Sequence, residues 1–341
     1  MMRALILTSP RTFELRELVR PRIEAGWVRI RVKHVGVCGS DIHYFATGRI
    51  GDQVVRYPFI LGHEGCGVVA EAAELAAGTP VYIEPAIACH ECDQCRAGRE
   101  NTCRSLRFLG NPLEMGGCMC DEIAMPAECL APLPDWVRPG EGALLEPLCI
   151  GVYAVERSGV APGAKAAIVG AGPIGLSVLL ALSDRSLSQI VVSEPVPARR
   201  RASMALGASE CLEPGPGGAA QSVFDAAMGG VDVAFECAGS QESIDDASGM
   251  LKPGGTLVVI GIPEGKDRIL YDPHLMRRRE VTVVHVRRQN RALPRAMAIL
   301  ERRRDAFGIM VTHRFDPSRA QEAFELVERR SDGVIKALLE F

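Results

Sequence analysis

Two short glycine-flanked stretches carry the residue types that a catalytic metal requires. Gly36 to Tyr44 reads GVCGSDIHY and Leu61 to Gly67 reads LGHEGCG, so Cys38, His63 and Glu64 supply a thiol, an imidazole and a carboxylate from two tight turns. Zinc takes these ligand types. Three protein ligands leave a position for water or substrate oxygen, which a closed four-ligand site does not. Taken singly, a buried cysteine is more often a small hydrophobe and a histidine more often a satisfied core residue. Their pairing among glycine turns, with a dinucleotide motif downstream, is what points to chemistry.

The strongest local signal is Cys89-x2-Cys92-x2-Cys95-x7-Cys103. Three thiols on a tight turn and a fourth one loop later can close a tetrahedral cage with no open position, which reads as structural zinc. An iron–sulfur cluster and a nucleic-acid-binding zinc ribbon use related spacings, but there is no second cluster set and the loop Asp93 to Glu100 is mixed in charge. Glu146 lies between Leu145 and Pro147. A carboxylate there costs on the order of several kcal/mol to bury unless it is paired or metal-bound, so it is a candidate for the zinc site as well as for a surface helix start. Glu64, Glu146 or a water completes the catalytic shell.

From Lys165 the chain alternates strands and helices. The strand Ala166 to Gly170 runs directly into Gly170-Ala-Gly172-Pro-Ile-Gly175 and then a helix. In that context the three glycines serve the turn, the approach of the pyrophosphate and the close packing of helix on strand, with the helix N-terminus facing the phosphates. A second strand ends in Glu194, about 20 residues further on, where an acid accepts from ribose hydroxyls and repels a 2′-phosphate. This favours NAD over NADP, although Arg199, Arg200 and Arg201 could meet a phosphate.

These sites need frames, and 341 residues suffice for two domains. Short strands with frequent Gly and Pro in the first 140 residues predict a small β-rich barrel-like domain with few helices. Strands at 189–194, 231–239, 254–261 and 281–286 with intervening helices predict a doubly wound parallel sheet. Helices at 294–303 and 317–329 and a strand at 334–339 end the chain. With 39 basic against 42 acidic residues, nucleic acid and anionic membrane are not expected partners. The apolar run Ala4 to Leu7 is too short for a signal-peptide core and no stretch reaches a membrane span, so cytoplasm is expected. Twelve cysteines, five of them in metal-like spacing, fit a reducing compartment with bound zinc.

With GVCGSDIHY, YPFILGHEGCGVV, the four-cysteine lobe, GALLEPL, VGAGPIG and VTHRF in view, the chain resembles zinc-dependent medium-chain dehydrogenases, and among them the sorbitol and xylitol (polyol) dehydrogenases. The resemblance implies a GroES-like catalytic domain of residues 1–142 and 286–341 and an inserted Rossmann domain of residues 143–285, with the active site in the cleft. It implies Cys38, His63 and Glu64 on a catalytic zinc with Glu146 nearby, and Ser40 and His43 as proton relay. Tyr44, Phe108, Glu146 and Arg287 would form the polyol pocket, Ile174, Glu194 and Arg199 would contact the cofactor, and the chain would be a homodimer or homotetramer. The implied reaction oxidises a secondary alcohol to a ketone with hydride transfer to NAD. Arg288 stands where these enzymes often carry Tyr, which favours an L-idonate-type sugar-acid dehydrogenase as an alternative; threonine and butanediol dehydrogenases are others. A catalytically silent NAD-binding redox sensor is a rival from another class, opposed by the intact ligand set. The segment Glu71 to Thr79 is shorter than usual, and Glu194 replaces a more usual Asp.

Overall fold

The computed structural model describes residues 1–71, 75–263 and 268–341; the core of the shortened segment after Glu71 lies outside them. The chain forms two compact units, Met1–Glu146 with Val311–Phe341, and Pro147–Met310. These boundaries correct the expected ones. Residues 286–310 lie with the parallel sheet: Val286 N–H donates to the Val259 carbonyl at 3.0 Å, and the helix Leu293–Arg302 is tied into the same unit by Arg302 to Asp184 and Arg295 to Glu156 ion pairs.

The first unit is built on a seven-stranded sheet. Its strands run in the order Leu130–Pro132, Pro80–Ile83, Glu64–Glu71, Trp27–Gly36, Lys336–Glu340 and Val311–Phe315, with Glu122–Pro126 also pairing with Trp27–Gly36. The sequence WVRIRVKHVG explains the central strand. Val28, Ile30 and Val32 alternate into the core, and a register shift between Val32 and His34 moves the buried face to Val35. An aromatic cluster of Phe13, Phe45 and Phe324 packs beneath it. Register then assembles the site. Gly36 pairs with Glu64 across one ladder and with Leu338 across the other, so the chain leaving Gly36, the chain entering Glu64 and Lys336 converge at one edge.

The stretch read from sequence as a glycine-flanked turn is instead a nine-residue helix, Gly39–Thr47. It starts at Cys38, whose N–H donates to Asp41 Oδ2 at 3.1 Å, and stops at Gly48 with φ 73°. A Cβ at Gly48 would lie 2.5 Å from the Tyr57 hydroxyl, so glycine is required there both for its conformation and for space.

The second unit holds a six-stranded parallel sheet ordered Glu210–Leu212, Gln189–Ser193, Lys165–Val169, Val231–Glu236, Leu251–Val259 and Thr282–His285. In chain order that is third, second, first, fourth, fifth, sixth, the doubly wound Rossmann order, with the switch point between Lys165–Val169 and Val231–Glu236. Both central strands are near-continuous apolar runs, as a sheet covered on both faces demands. No helix among the described residues is long and apolar enough to cross a membrane.

Candidate active site and cofactor loop

The ligand atoms of Cys38, His63 and Glu64 lie within 4.8 Å of one another. Cys38 stands at the start of its helix, and His63 and Glu64 at the start of the neighbouring strand. His63 and Glu64 are buried, 7% and 1% exposed. Burial opposes a positive charge on His63, but Asp41 and Cys38 beside it outweigh burial and push its pKa well above the ordinary histidine value. Asp41 and Cys38 thus favour positive charge at this point.

Glu64 fits only because position 36 is glycine: a Cβ there would lie 2.0 Å from Glu64 Oε2. Two groups that the sequence reading did not name complete the surroundings. Asp41, fully buried, accepts from the Cys38 and Gly62 N–H groups and has Oδ1 3.6 Å from His63 Nδ1, so one carboxylate orients both turns. Lys336, 1% exposed, donates from Nζ to both Glu64 oxygens, to Oε1 at 2.7 Å, and to the Val37 carbonyl at 3.1 Å. Its signal was available: a lysine inside the apolar run Val334 to Leu339 needs a buried acceptor.

Glu146 is 3% exposed, and its Oε2 has no hydrogen-bond partner among the described residues. Burial, with Glu64 and Glu84 nearby and only partly offset by His63 and Lys336, pushes its pKa up to about 8. The thiol, imidazole and carboxylate of Cys38, His63 and Glu64 are the donors zinc takes, and the orphaned oxygen of Glu146, whose charge is felt at His63 and Glu64, is a further acceptor that a divalent cation would satisfy.

Ser40 and His43 are half-buried on the helix that begins at Cys38, three residues apart and hence on one face. Tyr44 is buried with its hydroxyl donated to Gln53 at 3.0 Å, and the Phe108 ring packs 5.4 Å from the His63 ring. Arg287 and Arg288 belong to the second unit, just past the strand Thr282–His285, with Arg288 in a left-handed turn at φ 55°.

The four cysteines of the lobe converge as their spacing predicts. The sulfurs of Cys89 and Cys95, Cys92 and Cys95, Cys92 and Cys103, and Cys103 and Cys89 are 4.0, 3.6, 3.9 and 3.4 Å apart. A tetrahedral cage with bonds of about 2.3 Å has edges of roughly 3.8 Å. Backbone N–H groups of Arg104 and Cys95 bring the Cys92 thiol down to about 6, while burial pushes the neighbouring Cys95 thiol up to about 12.

In the second unit each glycine of the motif has a distinct task. Gly170 turns at φ 92°, a Cβ at Gly175 would lie 1.9 Å from the Gly170 carbonyl, and a Cβ at Gly172 would meet only Arg199 Nη1, at 3.7 Å. Glu194 is buried and braces this loop: Oε2 accepts from Ala171 N–H at 2.6 Å and Oε1 from Val196 N–H at 2.8 Å. Arg200 is engaged by the carbonyls of Glu194 and Pro195 and by Glu213. Ile174 lies in the first turn of the helix Pro173–Ser183, where a dinucleotide would rest.

Residues 24–135 match the alcohol dehydrogenase GroES-like domain family and residues 173–302 the zinc-binding dehydrogenase family. Sorbitol dehydrogenase of Arabidopsis thaliana is 33% identical over 96% of this chain and 92% of its own. L-idonate 5-dehydrogenase of Vitis vinifera is 30% identical over the same shares. The crystal structure of 2R,3R-butanediol dehydrogenase from Bacillus subtilis superposes with a TM-score of 0.88 at 28% identity, covering all of both chains. The chain, with its GroES-like unit and its Rossmann unit, belongs to the zinc-dependent medium-chain dehydrogenases, close to the polyol dehydrogenases.

Proposed function

We propose that the protein oxidises a secondary alcohol of a polyol of the sorbitol or xylitol type to the ketone, with NAD as hydride acceptor. The observation that carries this reading is the convergence of the Cys38, His63 and Glu64 ligand atoms within 4.8 Å of one another. Zinc held there supplies the Lewis acidity that lets an alcohol lose its proton near neutral pH, and NAD takes up the hydride. The chain's residues do the rest. Asp41 fixes the His63 ring, Lys336 holds Glu64, and Ser40 and His43 pass the proton outward along one helix face. Phe108 gives the pocket an apolar wall against His63. Tyr44, buried beside this site, would receive a distal hydroxyl. On the cofactor side Gly170, Gly172 and Gly175 cradle the pyrophosphate, and Glu194, braced on Ala171, disfavours a 2′-phosphate.

A second reading has support in the adjacent Arg287 and Arg288. Two guanidinium groups suit the carboxylate of a sugar acid of the L-idonate type better than a neutral polyol. NADH formation with sorbitol, xylitol, L-idonate, threonine and butane-2,3-diol separates these readings. The strand Thr282–His285, largely exposed at the edge of the parallel sheet, would pair with its counterpart in a homodimer or homotetramer. Twelve free thiols, four of them in a metal-like cage, fit a reducing cytoplasmic setting.

A further inference from the structure

The least explained group in the second unit is Glu236. It ends the strand Val231–Glu236 beside the switch point and is fully buried. Its Oε1 accepts from Ala238 N–H at 2.7 Å and Gly239 N–H at 2.6 Å and lies 2.7 Å from Ser243 Oγ, while its Oε2 has no partner among the described residues. Its carbonyl accepts from Ile260 and Gly261 at 2.9 and 3.2 Å. One residue therefore ties together the loop after its own strand and the loop after Leu251–Val259.

These loops meet backbone to backbone. A Cβ at Gly261 would lie 2.3 Å from Gly239 N and 2.6 Å from Glu236 Oε2, and one at Gly239 would lie 2.4 Å from the Ile262 carbonyl. The same assembly touches the phosphate loop, since a Cβ at Gly170 would come within 3.1 Å of Ala238 Cβ and the Cys237 N–H donates to Val169 at 2.9 Å. A dinucleotide lies across the switch point, with its adenosine ribose at the acid that ends the second strand, here Glu194. Its other half then falls over the loops that Glu236 holds.

Resting on the dinucleotide reading above, we infer that Glu236 is a positioning residue for the nicotinamide half of the cofactor. It acts by fixing residues 237–239 and 260–262 through Oε1 and its carbonyl. Geometry is the operative property: Gln can place an amide oxygen at the Oε1 position and keep the clamp, whereas Asp keeps the carboxylate but is one methylene too short to reach.

The test is calorimetric titration of the full-length, zinc-replete protein and its Glu236→Gln and Glu236→Asp variants with NADH and with ADP-ribose, which lacks the nicotinamide. Melting temperatures are recorded alongside. Glu236→Asp is expected to weaken NADH roughly tenfold, while ADP-ribose stays within about twofold. Glu236→Gln is expected to bind both like the parent. Equal weakening of both ligands with a lower melting temperature would mark a structural role and overturn the inference, as would Gln losing NADH while Asp keeps it. A parent protein that binds neither ligand removes the dinucleotide reading itself, a result distinct from both.

Discussion

Position 36 illustrates how a single residue sets the chemistry. The Glu64 carboxylate occupies the space a side chain at Gly36 would need, so Gly36→Ala is expected to displace Glu64 and lower zinc content toward the structural ion alone, read by metal analysis. Lys336 is the matching case for stability. Lys336→Ala leaves Glu64 buried without its ammonium, and urea denaturation of the zinc-free protein should show a loss of about 3–5 kcal/mol. Ligand types were legible from sequence because Cys, His and Glu sit in short, glycine-marked stretches. For Asp41 and Lys336 the sequence carries less: the apolar run around Lys336 signals a buried acceptor without saying which, and the contacts of Asp41 with His63 and of Lys336 with Glu64 span 22 and 272 residues.

At the level of elements, the four-cysteine lobe has almost no core of its own beyond Cys95, Cys103 and Leu106. Its order should depend on metal: chelation or Cys95→Ser is expected to make residues 89–106 the first site of limited proteolysis, with the parallel-sheet unit left intact. The phosphate loop separates packing from binding. A methyl group at Gly172 meets only the tip of Arg199, so Gly172→Ala should fold with a nearly unchanged melting temperature yet weaken NADH at least tenfold, whereas Gly175→Ala collides with the Gly170 carbonyl and should lower both. Strands were readable from alternation and from apolar runs. The helix Gly39–Thr47 was not, because the residue capping it, Cys38, is not a usual cap and the glycines around it suggest turns.

For the whole molecule, composition and motif order gave two units and a cofactor-binding parallel sheet, but the junctions fell elsewhere. Thr282–His285 reads as the last strand of the sheet, yet the chain stays with that unit through the helix Leu293–Arg302 up to Met310, held by ion pairs whose partners lie more than 100 residues away. Saturating NADH is expected to slow amide exchange in residues 170–175, 194–199 and 237–239 while leaving the core of the first unit unchanged. The most direct test of the central claim is NADH formation by the zinc-replete protein on sorbitol, xylitol and L-idonate, paired with zinc content, in parent and Cys38→Ser. Turnover of a neutral polyol is expected, vanishing in Cys38→Ser together with one of two zinc ions, the lobe's ion remaining. Undiminished turnover in Cys38→Ser, or a parent that binds two zinc ions and NADH but oxidises none of these alcohols, would contradict it.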